Sequence, residues 1–133
     1  TDGTVTPEDA GLNWAIGKAK PDFVGKRSLA RPDLVAKGRK QLIGLLTDDP
    51  TVVLQEGAQI VADPDQPKPM KMLGHVTSSY WSPILNRSIA MAVVEGGFDR
   101  MGETLHVPMP DRTLTAKVTG TVFYDPENAR LKL

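Results

Sequence analysis

The sequence predicts a mainly β domain, a five- to six-stranded antiparallel barrel of Greek-key type, preceded by a short helical or extended segment. One reason is alternation, clearest at 113–119. Leu114, Ala116 and Val118 point one way there, and Thr113, Thr115, Lys117 and Thr119 the other. A second is punctuation: eleven prolines and twelve glycines stand mostly singly between short apolar runs, placing turn signals about every 10 residues. The third is size, since 133 residues hold one ordinary domain with at most a short appendage from a neighbour.

Thr6-Pro7-Glu8-Asp9 has the form of a helix entry, with Thr6 as N-cap, Pro7 at the first position and acids near the positive end of the dipole. Gly11 must end that turn quickly. Leu12, Trp14 and Ile16 then alternate like a strand, and Trp14 reads as a core or interdomain packing residue. Lys18 to Lys40 is expected to be a charged, helical connector. It carries eight cations against two acids, a net of plus six, for which a solvated face is the simpler explanation and attraction of an anionic partner the sharper one.

The barrel strands are expected from Gln41 onward. Leu42, Ile43, Leu45 and Leu46 form an apolar run broken by Gly44, where a bulge or a close backbone approach fits. Asp48-Asp49-Pro50 turns the chain, and residues 57–62 give a short strand centred on Ile60 and Val61. The run 63–69 is too rich in proline for a regular element. Strands at 73–79 and 88–94 follow. Ile89, Met91 and Val93 share one face of the latter and Ala90, Ala92 and Val94 the other, so cover on both sides is expected. Between them Ser79–Asn86 reads as a loop because of Ser82-Pro83. It presents Tyr80 and Trp81, one of whose rings would cap the core. A turn at 96–102, a strand at 104–107 limited by Pro108 and Pro110, and a terminal turn at 123–130 complete the chain.

Composition narrows the function. Sixteen basic and sixteen acidic residues cancel, so no global field draws nucleic acid or an anionic membrane. The absence of cysteine removes disulfides, thiol catalysis and thiolate metal sites. No signal peptide or spanning run is visible, and a cytoplasmic protein is expected. His75 and His106 stand thirty-one residues apart with nothing to complete a metal site, and His75 reads as a sheet residue. Phosphate-cradling, dinucleotide and nucleophile-elbow motifs are absent. Glu8-Asp9 and Asp48-Asp49 have sufficient explanations as cap and turn residues. No catalytic and no metal-binding residue is therefore assigned.

The stretch GHVTSSYWSPILNRSIAMAVV at 74–94 resembles the C-terminal β-barrel domain of aminomethyltransferases, the family of the glycine-cleavage T-protein, which also occurs in sarcosine oxidase alpha subunits and dimethylglycine dehydrogenase. Arg39-Lys40-Gln41-Leu42-Ile43-Gly44-Leu45 matches the family's first barrel strand, and Leu12, Trp14, Gly17-Lys18 and Asp22-Phe23-x-Gly25 match the segment closing its preceding domain. Lys18–Arg27, Leu29–Leu34 and Phe123-Tyr124-Asp125-Pro126-Glu127 look closest to the sarcosine oxidase alpha branch. The resemblance implies that residues 1–36 end a preceding folate-binding domain and connect it to a barrel at 37–133, the chain being a fragment. It further implies a sarcosine oxidase that passes a one-carbon unit to tetrahydrofolate. FAD or FMN and NAD would sit elsewhere in the whole enzyme, and the partners would be the preceding domain and other subunits. The fragment alone would be inactive. A glycine-cleavage aminomethyltransferase or a noncatalytic interaction module are the alternatives. For a folate wall the candidates are Tyr80, Trp81, Tyr124 and Arg130: aromatic faces suit a pterin and aminobenzoyl ring, and a guanidinium suits glutamate carboxylates. The T-protein branch places a tyrosine where this sequence has Asn128.

Overall fold

The computed structural model describes residues 3–131, so the outermost residues of both expected segments, 1–36 and 37–133, lie outside the described residues. Six strands form one antiparallel sheet: β1 Lys40–Thr47, β2 Gln59–Ile60, β3 Gly74–Ser82, β4 Arg87–Glu95, β5 Thr104–Pro108 and β6 Thr113–Thr119. Their spatial order is β2-β3-β4-β1-β6-β5. Two hairpins, β3–β4 and β5–β6, thus flank β1, which arrives from the N-terminal side to fill the gap between them. That is the Greek-key arrangement expected. Val61 then exchanges both backbone hydrogen bonds with His106, at 2.9 and 3.0 Å, joining the end of β2 to β5. The sheet comes close to closing on itself as a barrel, which leaves little unpaired edge.

Alternation decides what lies inside. In β4, Ser88, Ala90, Ala92 and Val94 are buried, while Ile89, Met91 and Val93 are half-buried. The expected cover on both sides of this strand is therefore corrected: a barrel strand has one inner and one outer face, and only the inner one is sealed. Ile43, Leu45, Ile60, Val61, Val76, Leu105, Val107, Ala116 and Val118 complete the interior with Leu54 and Leu73. Three alanines belong to it because a barrel of so few strands has a narrow lumen.

Two glycines mark where backbones approach. A Cβ on Gly74 would lie 1.8 Å from the Val93 carbonyl oxygen, and one on Gly44 would lie 2.2 Å from the Gly120 carbonyl oxygen. The break expected at Gly44 is thus a close approach rather than a bulge. The bulge is in β3, between Val76 and Ser78 opposite β4. It resets the parity of the strand, so that Val76 and Ser79 both face inward although three positions apart. Ser79 Oγ there accepts a hydrogen bond from Leu54 N at 3.0 Å.

Three other expectations need correction. Tyr80 and Trp81 are not in a loop: β3 runs through them, paired with Ile89 and Ser88, and the connection shrinks to residues 83–86. The register with β4 carries the strand three residues past its expected end at Ser79, and Pro83 stops it after Ser82. Neither ring caps the core, since both are exposed. Residues Asn13–Ala15 form a 3₁₀ turn in place of the strand read from Leu12, Trp14 and Ile16, and Trp14 is 81% exposed rather than in a core. The connector 18–40 holds only one short 3₁₀ turn, Ser28–Ala30, because Pro21, Gly25, Pro32 and Gly38 interrupt any longer helix.

Ser88 Oγ is fully buried with no hydrogen-bond partner, a costly arrangement for a hydroxyl. Ser88→Ala is expected to raise stability by about 1 kcal/mol in denaturant unfolding. Gly74→Ala, by contrast, forces the Val93 backbone aside and is expected to cost about 3 kcal/mol. A neutral Gly74→Ala in the same assay would contradict the tight packing of β3 on β4.

Candidate functional site

The chain leaves β6, turns at Gly120, and lays the Phe123 ring over the side-chain-free strip at Gly44 on the outer face of β1. Tyr124 follows. Asp125 then ties the tail into a knot, its Oδ1 accepting from Ala129 N at 2.9 Å and its Oδ2 from Arg130 N at 3.1 Å. Asn128 sits at φ 54°, a left-handed conformation that asparagine tolerates better than a large side chain. The knot folds Arg130 back onto Tyr124. Arg130 Nη1 donates to the tyrosine hydroxyl, and the guanidinium carbon lies 5.6 Å from the ring centroid. Both residues are exposed, and the bond uses one of five guanidinium N–H donors. A flat cation stacked beside an aromatic ring is suited to a ligand with a planar ring and a carboxylate.

Tyr80 and Trp81 are placed differently. Consecutive strand residues point to opposite faces. Tyr80 shares the outer face with Ile89, while Trp81 lies on the side of buried Ser88, at the mouth of the barrel. In the sheet order β3 is separated from β1 by β4, so Tyr80 and the Phe123 ring over Gly44 lie on the outer face two strands apart. The structure brings Tyr124 and Arg130 into contact. No hydrogen bond or ring contact links either of them to Tyr80 or Trp81 among the described residues.

A concavity of about 550 Å³ opens further along the outer face, floored by Leu42 and Val93 and walled by His75, Arg39, Val5 and Ala10. His75 is a half-buried β3 residue opposite Val93. Beside this concavity lies an interaction that sequence reading missed. Asp9, buried, accepts from Arg39 Nη2 at 2.7 Å and Nε at 3.1 Å. Asp9 Oδ2 also accepts from Thr6 N, and Asp9 N donates to Thr6 Oγ1, both at 3.1 Å. Arg39 further donates to the carbonyls of Thr4 and Asp33, at 2.6 and 3.0 Å. Asp9 O accepts from Leu42 N at 2.7 Å, so the turn is fixed to β1. The residues read as a helix cap do cap one turn, but their carboxylate mainly holds a guanidinium thirty positions away. The cap motif was the only local signal.

The other acidic pair is structural. Asp49 accepts from the hydroxyl and amide of Thr51, and these bonds hold its carboxyl below 3.8. Asp48 accepts from the Thr115 hydroxyl. Among the described residues no group of three or more His, Cys, Asp or Glu is placed to hold a metal ion, and no helix is long and apolar enough to cross a membrane.

The profile of the glycine cleavage T-protein C-terminal barrel domain matches residues 40–125. Sarcosine oxidase subunit alpha of Corynebacterium sp. (strain P-1) is 44% identical over 98% of this chain, which spans 14% of that protein. The subunit alpha of Rhizobium meliloti is 37% identical over 97% of the chain, again a small part, 13%, of its length. An aminomethyltransferase of Nitrosomonas europaea is 35% identical over 92% of the chain, corresponding to 31% of that enzyme. The solved structure of aminomethyltransferase T from the Bartonella henselae glycine cleavage system superposes with a TM-score of 0.70 over 87% of this chain and 31% of its own, at 22% identity, a likeness of fold.

Burial pushes the Asp9 carboxyl up, but hydrogen bonds from Arg39 and Thr6, with the Arg39 charge, outweigh it and leave the group below its ordinary 3.8. Its contribution to stability is thus complete above 3.8 and is lost as pH falls through the lower folded-state value. Titrated by NMR, the Leu42 amide resonance is expected to move in that acidic window as the turn detaches, with the inner amides of β4 and β6 unmoved. Asp9→Asn should abolish the transition, and an identical titration in that variant would refute the assignment.

Proposed function

The chain belongs to the glycine cleavage T-protein C-terminal barrel domain family, and from that membership we propose that it is the terminal barrel of a sarcosine oxidase alpha subunit. The observation that carries the choice of branch is the gradient of likeness. The sarcosine oxidase subunits named above align at 44% and 37% identity over 98% and 97% of the chain, ahead of the aminomethyltransferase at 35% over 92%. In this reading residues 1–36 close a preceding folate-binding domain, and residues 37–133 form one wall of a chamber for tetrahydrofolate. The complete enzyme oxidatively demethylates sarcosine at a flavin on another subunit, holds NAD elsewhere, and works in the cytoplasm. The alternative within the family is a glycine-cleavage aminomethyltransferase.

Tetrahydrofolate, which accepts the one-carbon unit, fits the side chains offered here. The Tyr124–Arg130 unit supplies a flat face and a bidentate donor already turned toward each other, so little side-chain entropy remains to be lost on binding. Tyr80 extends the same outer surface. Trp81, pointing the other way, belongs to the wall only if the ligand reaches the mouth of the barrel. The chain's own part is to bind, orient and exclude water. No catalytic constellation is assigned to its residues.

Three measurements test this. In the complete enzyme Arg130→Ala should weaken tetrahydrofolate binding about tenfold, from loss of a charge-assisted bond and a stacked partner, while sarcosine oxidation at the flavin continues. Tyr80→Ala and Trp81→Ala, titrated separately, decide which face the wall uses; unchanged affinity in all three variants would sink the site. The isolated 133-residue chain should show no sarcosine turnover with added flavin and folate. A chain shortened to begin at Lys37 should still unfold cooperatively, and loss of the transition would refute the domain boundary.

A further inference from the structure

From Ala10 to Leu42 no residue is buried, although this arm carries several large apolar side chains. Trp14 is 81% exposed and Val24 fully so; Leu12 and Val35 are exposed as well. The arm is nevertheless shaped. Lys26 Nζ donates to the carbonyls of Lys20 and Pro21 at 2.7 and 2.8 Å, and Leu34 N to Arg31 O at 2.9 Å. Its form is held by local polar bonds rather than by a core. Between its turns lies an apolar groove of about 420 Å³, lined by Pro7, Ile16, Phe23, Val24 and Leu29, with Lys20 among its walls.

Charge adds a second, independent observation. The stretch 18–40 is net plus six, and since the chain is neutral the remainder is net minus six. Among the described residues a single ion pair joins the two parts, Arg39 with Asp9. Arg27 faces Asp22 at 4.0 Å and Arg31 faces Asp33 at 3.0 Å, both within the arm, and Arg39 is taken by Asp9. Among the described residues no ion pair joins the arm to an acid of the barrel strands. Lys18, Lys20 and Lys37 are exposed and carry no ion pair there.

We infer that the arm from Leu12 to Lys37 is a docking element for an acidic protein surface with an apolar centre, located in the remainder of the longer polypeptide. The inference rests on the reading that residues 1–36 close a preceding domain, and it adds the chemistry of the surface they meet. A large remainder is available, because the chain spans 14% of the sarcosine oxidase alpha subunit it matches at 44% identity. Trp14 and Val24, beside a groove with a cationic rim, have the anatomy of an interface in which aromatic anchors supply affinity and surrounding charges supply orientation. A nucleic-acid partner would use the lysines but leave the apolar groove without a role.

Hydrogen exchange tests it in the complete polypeptide, with the 133-residue chain as reference. Amides of 12–37 should exchange at least about tenfold more slowly in the complete polypeptide. Raising sodium chloride from 50 mM to 0.5 M, or introducing K18E/K20E/K37E, should remove much of that protection, because the rim charges are screened or reversed. Trp14→Ala should remove it at both salt concentrations. Protection that is strong but indifferent to salt and to charge reversal overturns the acidic surface while leaving the domain assignment standing. Equal exchange in the two forms overturns both. The salt series on the unmodified polypeptide decides the matter even where a variant fails to fold.

Discussion

The narrow closure of the sheet is the constraint on which the remaining features depend. Six strands bent into one barrel leave room inside for side chains and no more. The inner positions of β4 are accordingly Ser88, Ala90, Ala92 and Val94, with Ala116 among the inner positions of β6. The same closure brings backbones together at Gly74 and Gly44, where a methyl group would collide with a carbonyl oxygen. Because Gly44 carries no side chain, Phe123 can lie on the outside of β1, and because Phe123 lies there, Tyr124 and Arg130 are held on the same surface. The candidate wall is thus a consequence of the packing requirement at Gly44 in β1, beneath the Phe123 ring.

The strands were largely legible because their signal is local. Period-two alternation at 113–119 and 88–94 needs no knowledge of partners, and Gly44 in an apolar run signals a bulge or a close approach, of which the structure has the second. Where the outcome depended on distant residues, legibility failed. Ser82-Pro83 marked a turn, but pairing of Tyr80 with Ile89 and Trp81 with Ser88 extended the strand up to it. Asp9 and Arg39 are individually ordinary, a cap and one of eight cations, and nothing between them reports their contact. Of the candidate site, Tyr124 and Arg130 were found through residue chemistry. That they touch follows from the left-handed turns at Asp125 and Asn128, which sequence alone does not specify.

The arm and the barrel obey different physics. The barrel is held by buried apolar area and by strand pairing. The arm is held by turns and by one carboxylate–guanidinium pair at its root, with Arg39 gathering Thr4, Asp9 and Asp33 around a single side chain. Two such parts can open independently, so the arm is the region where a partner's contribution is felt first.

The bulge between Val76 and Ser78 carries a consequence for how this sequence can change over time. One extra residue there makes Ser79 an inner position and Tyr80 an outer one. Deleting a single residue from 77–79 would be absorbed by loss of the bulge: plain alternation from Val76 would again place a serine inward and Tyr80 outward. Straightening the strand without a deletion would instead exchange lumen and surface for the length of the hairpin tip, driving an aromatic ring toward a space sized for serine and alanine. The segment therefore holds one residue in reserve, which lineages can lose while the tip keeps its parity.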